Sequence, residues 1–271
     1  MPGMTDGIPV ERGVASPQAR DGPPAATPQS LVRLAVALCL LGCACLPIDL
    51  AVARWVAARR LPGEVGRLLD ISEAFAQGWG VAGILLVALT LDERLWHRPA
   101  GRQPGGDTAV DRPGRGIPAF AWTGLRPREA CMRLVAMAVI GGLLVDVVKL
   151  VVRRVRPRAI DLQAATDALA TFDTTLVGIP HPGSADLLSF PSGHAAAAAG
   201  LAAALSHRYP RGAVLFVAFA TLAALQRVSS SAHYPSDICF GAAVGCVGAA
   251  LPLWLGRRGS PTTPGPGVPA G

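Results

Sequence analysis

Three short clusters in the second half of the chain could do chemistry on an anion: Lys149-x6-Arg156-Pro157, Pro191-Ser192-Gly193-His194 and Arg227-x5-His233-x3-Asp237. Lys149 is the single lysine; every other basic residue is arginine. It follows the apolar stretch Ile140–Val148, where an ammonium is expensive and by default marks a functional site. A helix carried on through residue 156 would place Lys149, Arg153 and Arg156 on one face, before Pro157 discourages continuation. The competing reading is snorkelling to lipid headgroups, which suits Arg153, Arg154 and Arg158 better than the deeper Lys149. Asp146 could partner Lys149 or pair between helices.

In the second cluster, Ser192 stands just before an apolar run, as a helix N-cap does. A helix start with free N–H groups is a phosphate cradle; Gly193 permits close backbone approach, and His194 can exchange protons near neutral pH. In the third, Pro235 suits the first turn of a helix, so His233 falls just outside it and Asp237 just inside. An aspartate four residues on can hold one imidazole nitrogen and leave the other free as a nucleophile. Arg227 adds a fork-shaped phosphate ligand. Each cluster alone also reads as an ordinary cap or surface pair. Together they supply what phosphoryl transfer through a phosphohistidine requires: a nucleophile, an acid for the leaving group and cationic clamps. No carboxylate cluster suggests Mg²⁺ and no Gly-x4-Gly-Lys-Ser/Thr loop suggests a nucleotide, so neither metal nor cofactor is expected.

These residues need a scaffold, and the composition indicates a membrane one. Of 271 residues, 51% are hydrophobic and 16% charged, with a mean hydropathy of +0.41; soluble domains carry about 25% charged residues. The net charge of +7 comes without a basic stripe interleaved with aromatics, so nucleic acid is not the expected partner. Six cysteines without metal-ligand spacing read as buried, inert thiols. Residues 1–30 and 259–271, rich in Pro and Gly, are expected to be disordered tails. Between them, 31–258 reads as one all-α, six-helix membrane domain with apolar segments at about 34–53, 74–91, 134–152, 193–207, 212–227 and 237–255. The fourth and fifth are short and small-residue-rich, as in a tight hairpin.

Ala51-Val52-Ala53 resembles a signal-peptidase site and Leu40-Leu41-Gly42-Cys43 a lipoprotein signal, but the long mixed-charge leader favours a retained first helix. Arginines in the 92–133 loop, at Arg208 and Arg211, and at Arg257 and Arg258 place those loops and both termini in the cytoplasm, and the three clusters on the opposite face. The 158–190 loop, with Asp161, Asp167, Asp173, His181 and Asp186, is the expected place for headgroup selection.

The three clusters, in this order, resemble the type 2 phosphatidic acid phosphatase superfamily, which shares its site with vanadium haloperoxidases. The family pattern is Lys-x6-Arg-Pro, Pro-Ser-Gly-His and Ser-Arg-x5-His-x3-Asp, and the match runs from about residue 134 to 245. The resemblance implies that His233 is the phosphorylated nucleophile, that Asp237 orients it and that His194 protonates the leaving oxygen. It further implies that Lys149, Arg156, Ser192, Gly193 and Arg227 hold the phosphate. It implies a metal-independent hydrolase of lipid phosphates or pyrophosphates in the cell membrane, polyprenyl or phosphatidic-acid-like. Its partner is the lipid phosphate substrate; no protein partner is inferable. The alternatives are a transferase moving a phosphoryl or phospho-headgroup between lipids, and a non-catalytic lipid-phosphate binder. One residue departs from the pattern: Gln226 stands where the family has serine, which puts the local support of Arg227 in question.

Overall fold

The computed structural model describes residues 25–59, 62–92, 127–172 and 184–258. Among the described residues eight α-helices follow one another: α1 (Pro28–Cys45), α2 (Asp49–Ala58), α3 (Gly63–Glu73), α4 (Gly78–Thr90), α5 (Pro127–Val151), α6 (Gly193–Arg208), α7 (Ala213–Ser229) and α8 (Pro235–Arg258). Among the described residues no extended strand forms, and the molecule is an all-α membrane bundle.

Helix α1 begins inside the stretch expected to be disordered. Thr27 Oγ1 accepts from the Ser30 N–H at 3.1 Å, and the Thr27 N–H donates to Ser30 Oγ at 2.9 Å. This reciprocal cap, with Pro28 at the first helical position, satisfies N–H groups that would otherwise lack partners. Residues 1–24 and 259–271 of the expected tails lie outside the described residues. A single 3-10 turn, Leu46–Ile48, joins α1 to α2, so that 28–58 forms one span.

Six spans were expected. Among the described residues four helices are long and apolar enough to cross a membrane, 28–58, 128–151, 210–229 and 235–256, or five if the bent pair α3–α4 counts as one. That pair turns by 70°. Helix α6 has 16 residues, shorter than the ~20 needed to span hydrocarbon, and it is the central element. Its Ala196, Ala198, Leu201 and Ala204 have no exposed surface.

Small residues let α5, α6 and α8 touch backbone to backbone, the usual means of close packing where lipid removes the hydrophobic drive between helices. A Cβ built on Gly245 would lie 2.4 Å from the Ala196 carbonyl oxygen, and one on Gly248 would lie 2.4 Å from the Gly141 nitrogen. The outward residues are large and apolar instead, among them Leu150, Val151 and Val214, each at least 80% exposed, a surface suited to acyl chains. Of the six thiols, all free, only Cys246 is buried; Cys43 is exposed and the others are half-buried, so the expectation of six buried cysteines holds for one.

This arrangement gathers one set of helix ends. The start of α2, the end of α3, the end of α5, the start of α6, the end of α7 and the start of α8 meet at one end of the bundle. At the other end, His207 Nδ1 lies 2.7 Å from the Ala26 carbonyl oxygen and Arg208 pairs with Asp92 at 2.5 Å. The contact that sets α8 against the start of α6 is the closest to the clusters: a Cβ on Gly241 would sit 2.2 Å from the Ser192 carbonyl oxygen. Gly241→Ala is therefore expected to destabilise the fold by about 1–3 kcal/mol. Gly83→Ala, where a Cβ meets nothing within 4 Å, should be neutral or slightly stabilising; thermal melting in detergent compares the two.

Candidate active site

The three clusters converge. The second is placed as expected, and so are His233 and Asp237 of the third, whose Arg227 was expected in the same loop. Ser192 is the N-cap of α6, its Oγ accepting the Ala195 N–H at 3.4 Å. His194 follows in the first turn, and Gly193 keeps the approach open: a Cβ there would lie 3.6 Å from Lys149 Nζ. The ammonium thus hangs over the helix start, where the N–H groups point outward. Among the described residues Lys149 makes no close ion pair with Asp146, which is exposed and acts on it through its charge alone.

Arg227 belongs to the last turn of α7 rather than to the following loop. The chain then reverses through Ser231, which takes the left-handed conformation at φ 53°. The Arg227 carbonyl accepts both the Ala232 and His233 N–H groups, at 3.0 and 3.1 Å. This turn fixes His233 beside the start of α8. Asp237, with no exposed surface, accepts the Tyr234 N–H at 2.9 Å and the Ser189 hydroxyl at 2.6 Å through Oδ2. The same oxygen lies 3.7 Å from His233 Nδ1, and Ser189 Oγ lies 3.5 Å from it. Nδ1 therefore faces the carboxylate, which leaves Nε2 for other work; such bonds commonly shorten once a ligand is bound.

The first cluster differs from its expected form. Helix α5 ends at Val151, and residues 152–156 run extended. Lys149, Arg153 and Arg156 therefore do not share a helix face. Two physical causes act together: Pro157 biases Arg156 away from helix, and Arg154 pairs its backbone with residues 187–189. The Arg154 N–H donates to the Leu187 carbonyl at 2.9 Å, and its own carbonyl accepts the Ser189 N–H at 3.0 Å. Arg153 is exposed, and Arg158 makes a half-exposed pair with Asp186 at 3.3 Å.

Arg154, which the sequence suggested would snorkel, has no exposed surface. Its Nη1 donates to Asp237 Oδ1 at 2.6 Å and to Ser236 Oγ at 2.8 Å, its Nη2 to Asp49 Oδ2 at 2.8 Å, and its Nε to Thr171 Oγ1 at 2.8 Å. The guanidinium lies over the Tyr234 ring at 4.0 Å and the Phe172 ring at 4.6 Å. Arg154, Asp49 and Ser189 were not read from the sequence as site residues. Nothing in their spacing links them; the only hint was an aspartate near the end of the apolar first segment.

Arg156 is half-buried. Its N–H donates to the Asp186 carbonyl at 2.8 Å, while its buried Nε has no hydrogen-bond partner among the described residues. A buried donor of this kind calls for an acceptor. Burial, and next the charge of Arg158, hold its pKa below the usual arginine value. Gln226 settles the local question about Arg227: its side-chain oxygen accepts from Arg227 Nε at 2.6 Å and also from Nη2, while its Nε2 donates to Asp70 at 3.3 Å. Glutamine thus holds the guanidinium from behind. Glu73 pairs with Nη2 at 2.6 Å, and Nη1 lies 3.4 Å from His194 Nε2. Of the selection loop, Asp173 and His181 lie outside the described residues.

Residues 130–259 carry the match to a family model, that of the PAP2 superfamily. All three clusters lie within this match. Two curated relatives are lipid A 1-phosphatases. That of Rhizobium etli is 42% identical over 66 residues, which cover 24% of this chain and 28% of the relative. That of Rhizobium johnstonii is 41% identical over 66 residues, covering 24% and 27%. The chain thus spans little more than a quarter of the length of the curated relatives it matches. No solved structure matches it. The described residues bring His233, His194, Lys149, Arg156 and Arg227 to one end of the bundle.

His233, in the turn before α8, is 3% exposed. Burial first, and then the charges of Arg156 and Lys149, hold its imidazole below the ordinary histidine range against the pull of Asp237. The unfolded chain, with a histidine pKa of about 6.5, then binds a proton that the folded chain refuses. The resulting stability is fully present above about pH 6.5 and is lost as pH falls through the depressed value. His233→Gln is therefore expected to flatten the fall in melting temperature between about pH 7 and pH 5, measured by thermal unfolding in detergent across that range.

Proposed function

We propose that this chain is an integral-membrane lipid phosphate phosphatase working through a phosphohistidine. The observation that carries the proposal is one imidazole backed by a buried carboxylate and faced by cationic side chains at a helix start. His233 Nδ1 faces Asp237, so Nε2 attacks phosphorus as the bond from phosphorus to the lipid oxygen breaks. His194, in the first turn of α6, gives its proton to that oxygen. Lys149, Arg156, Arg227, Ser192 and the Gly193 backbone hold the phosphoryl oxygens, where charge is greatest during transfer. The unpartnered Nε of Arg156 suits this role. Water then attacks the phosphohistidine, His194 takes a proton back, and inorganic phosphate leaves. His194 Nε2 faces the donor Arg227 Nη1 at 3.4 Å, so His194 takes up its proton with the arriving phosphate, whose negative charge favours the imidazolium; it gives that proton to the leaving oxygen and regains one from the attacking water, and no metal is invoked.

A lipid substrate is supported by placement. The cluster lies at one end of a bundle whose sides are apolar. A cleft of about 280 Å³ is lined by Ile71, Phe75, Ile84, Leu215, Phe216 and Phe219, with Ser72 and Ala74, the chain neighbours of Glu73, also in its wall; Glu73 itself pairs with Arg227. A headgroup could reach the cations while its tail stays in lipid. We place the site on the extracytoplasmic face, with both termini and the arginine-rich loops in the cytoplasm. Candidate substrates are polyprenyl phosphates or pyrophosphates and phosphatidic-acid-like lipids, and the relatives' names add lipid A 1-phosphate.

Purified protein is expected to release phosphate from members of this panel with EDTA present. His233→Ala should lower that release by roughly three orders of magnitude; full activity in the variant would refute the mechanism. Lys149→Met should leave the fold intact and reduce kcat/KM by roughly tenfold to a hundredfold, the weight of a hydrogen bond to a charged group. Phosphate assays and melting curves on the same preparations separate the two effects.

A further inference from the structure

Asp49 lies far from the three clusters in sequence, in the first turn of α2, yet it has no exposed surface. It accepts the Ser236 N–H at 3.0 Å through Oδ1, and its Oδ2 accepts from the Ser236 hydroxyl and from Arg154. Arg154 in turn reaches Asp237 at 2.6 Å. Asp49, Arg154 and Asp237 therefore form a continuous buried row of two anions and one cation, ending on the carboxylate that faces His233. Without Asp49, the guanidinium would cancel the charge of Asp237 outright, and the imidazole would face a neutral pair. With Asp49 present, one negative charge remains. One negative charge matches the one positive charge that His233 takes on when it is phosphorylated or protonated at its second nitrogen.

We propose that Asp49 and Arg154 are positioning residues that act through Asp237: Arg154 fixes the carboxylate in place, and Asp49 neutralises Arg154 so that Asp237 keeps its charge for His233. The proposal deepens the phosphohistidine reading above and rests on it for its catalytic meaning. The other groups around His233 are cationic or able to become so: Lys149 from α5, Arg156 from the extended segment, His194 from α6 and Arg227 from α7. Ser189 and Tyr234 are its polar neutral neighbours. The anionic side of the balance is Asp237 with Asp49 behind it, and Glu73 is engaged by Arg227. A purely packing role for Asp49 would leave the protonation of His233 unchanged.

The test follows the titration of His233 by NMR of ¹⁵N-histidine-labelled protein in detergent, with assignment from His233→Gln, alongside release of phosphate from dioctanoyl phosphatidic acid. Asp49→Asn keeps the shape and can still accept from Ser236. It should move the His233 titration to lower pH by roughly one unit, the scale of one charge about 10 Å away in an effective dielectric near 20. Arg154→Gln, which leaves two anions, should move it to higher pH. The double variant again holds one anion, and its titration should return towards that of the wild type. An unmoved titration in Asp49→Asn, or a double variant displaced as far as the single, would overturn the assignment. Where Asp49→Asn alone fails to fold, Arg154→Gln against the double variant carries the same comparison. Because the titration needs no turnover, protein that shows these shifts but releases no phosphate refutes the phosphatase reading alone. An active enzyme without the shifts refutes the charge assignment alone.

Discussion

A guanidinium sealed from solvent must find every partner within the protein, and Arg154 does so. Isolated burial of such an ion costs several kcal/mol even after relaxation. Here two carboxylates, two hydroxyls and two aromatic faces surround it. Those partners come from α2, from Thr171 and Phe172 in a 3-10 turn, and from the start of α8. Meeting the needs of one side chain therefore fixes the relative positions of three parts of the chain. Removing one partner would strand a buried charge, which is far worse than never having buried the pair.

That constraint also explains the shape of the segment after α5. A helix continued through residue 156 would have carried Arg154 out to the headgroups. Extended backbone instead turns the side chain inward and lets residues 154 and 156 bond residues 186–189. Ser189 arrives beside Asp237 by the same pairing. The site is thus built from two layers. A charged, fully bonded layer lies beneath, and a layer of cations with spare donors lies above it, at the helix starts and ends.

Close helix packing serves the same end. Glycine and alanine faces on α5, α6 and α8 bring backbones into contact, so the end of α5 and the starts of α6 and α8 are held within one side chain's reach of each other. The outer face is left to large apolar residues. In the PAP2 superfamily reading, the first two helices are part of the site's foundation, because Asp49 reaches the orienting carboxylate through Arg154.

Much of this was legible in the sequence. Composition and long apolar runs indicated an all-α membrane bundle because hydrocarbon demands internally bonded backbone. His194, His233 and Asp237, with Ser192 and Pro235, were readable because local rules govern them: a cap, a helix start and a four-residue spacing each act within one turn. The number of crossings was less legible, since α6 is too short to span and α3–α4 is bent, and hydropathy registers neither burial inside a bundle nor a bend. Arg154 was misread, and Asp49 and Ser189 were passed over, for one shared reason. Sequence fixes which charges exist and how they are spaced along the chain. Whether a charge faces lipid headgroups or a buried partner more than a hundred residues away depends on long-range contacts, and only the tertiary structure decides those. The cap of Ser192 and the spacing of His233 and Asp237 were determined locally; the buried row of charges behind them was determined by the fold.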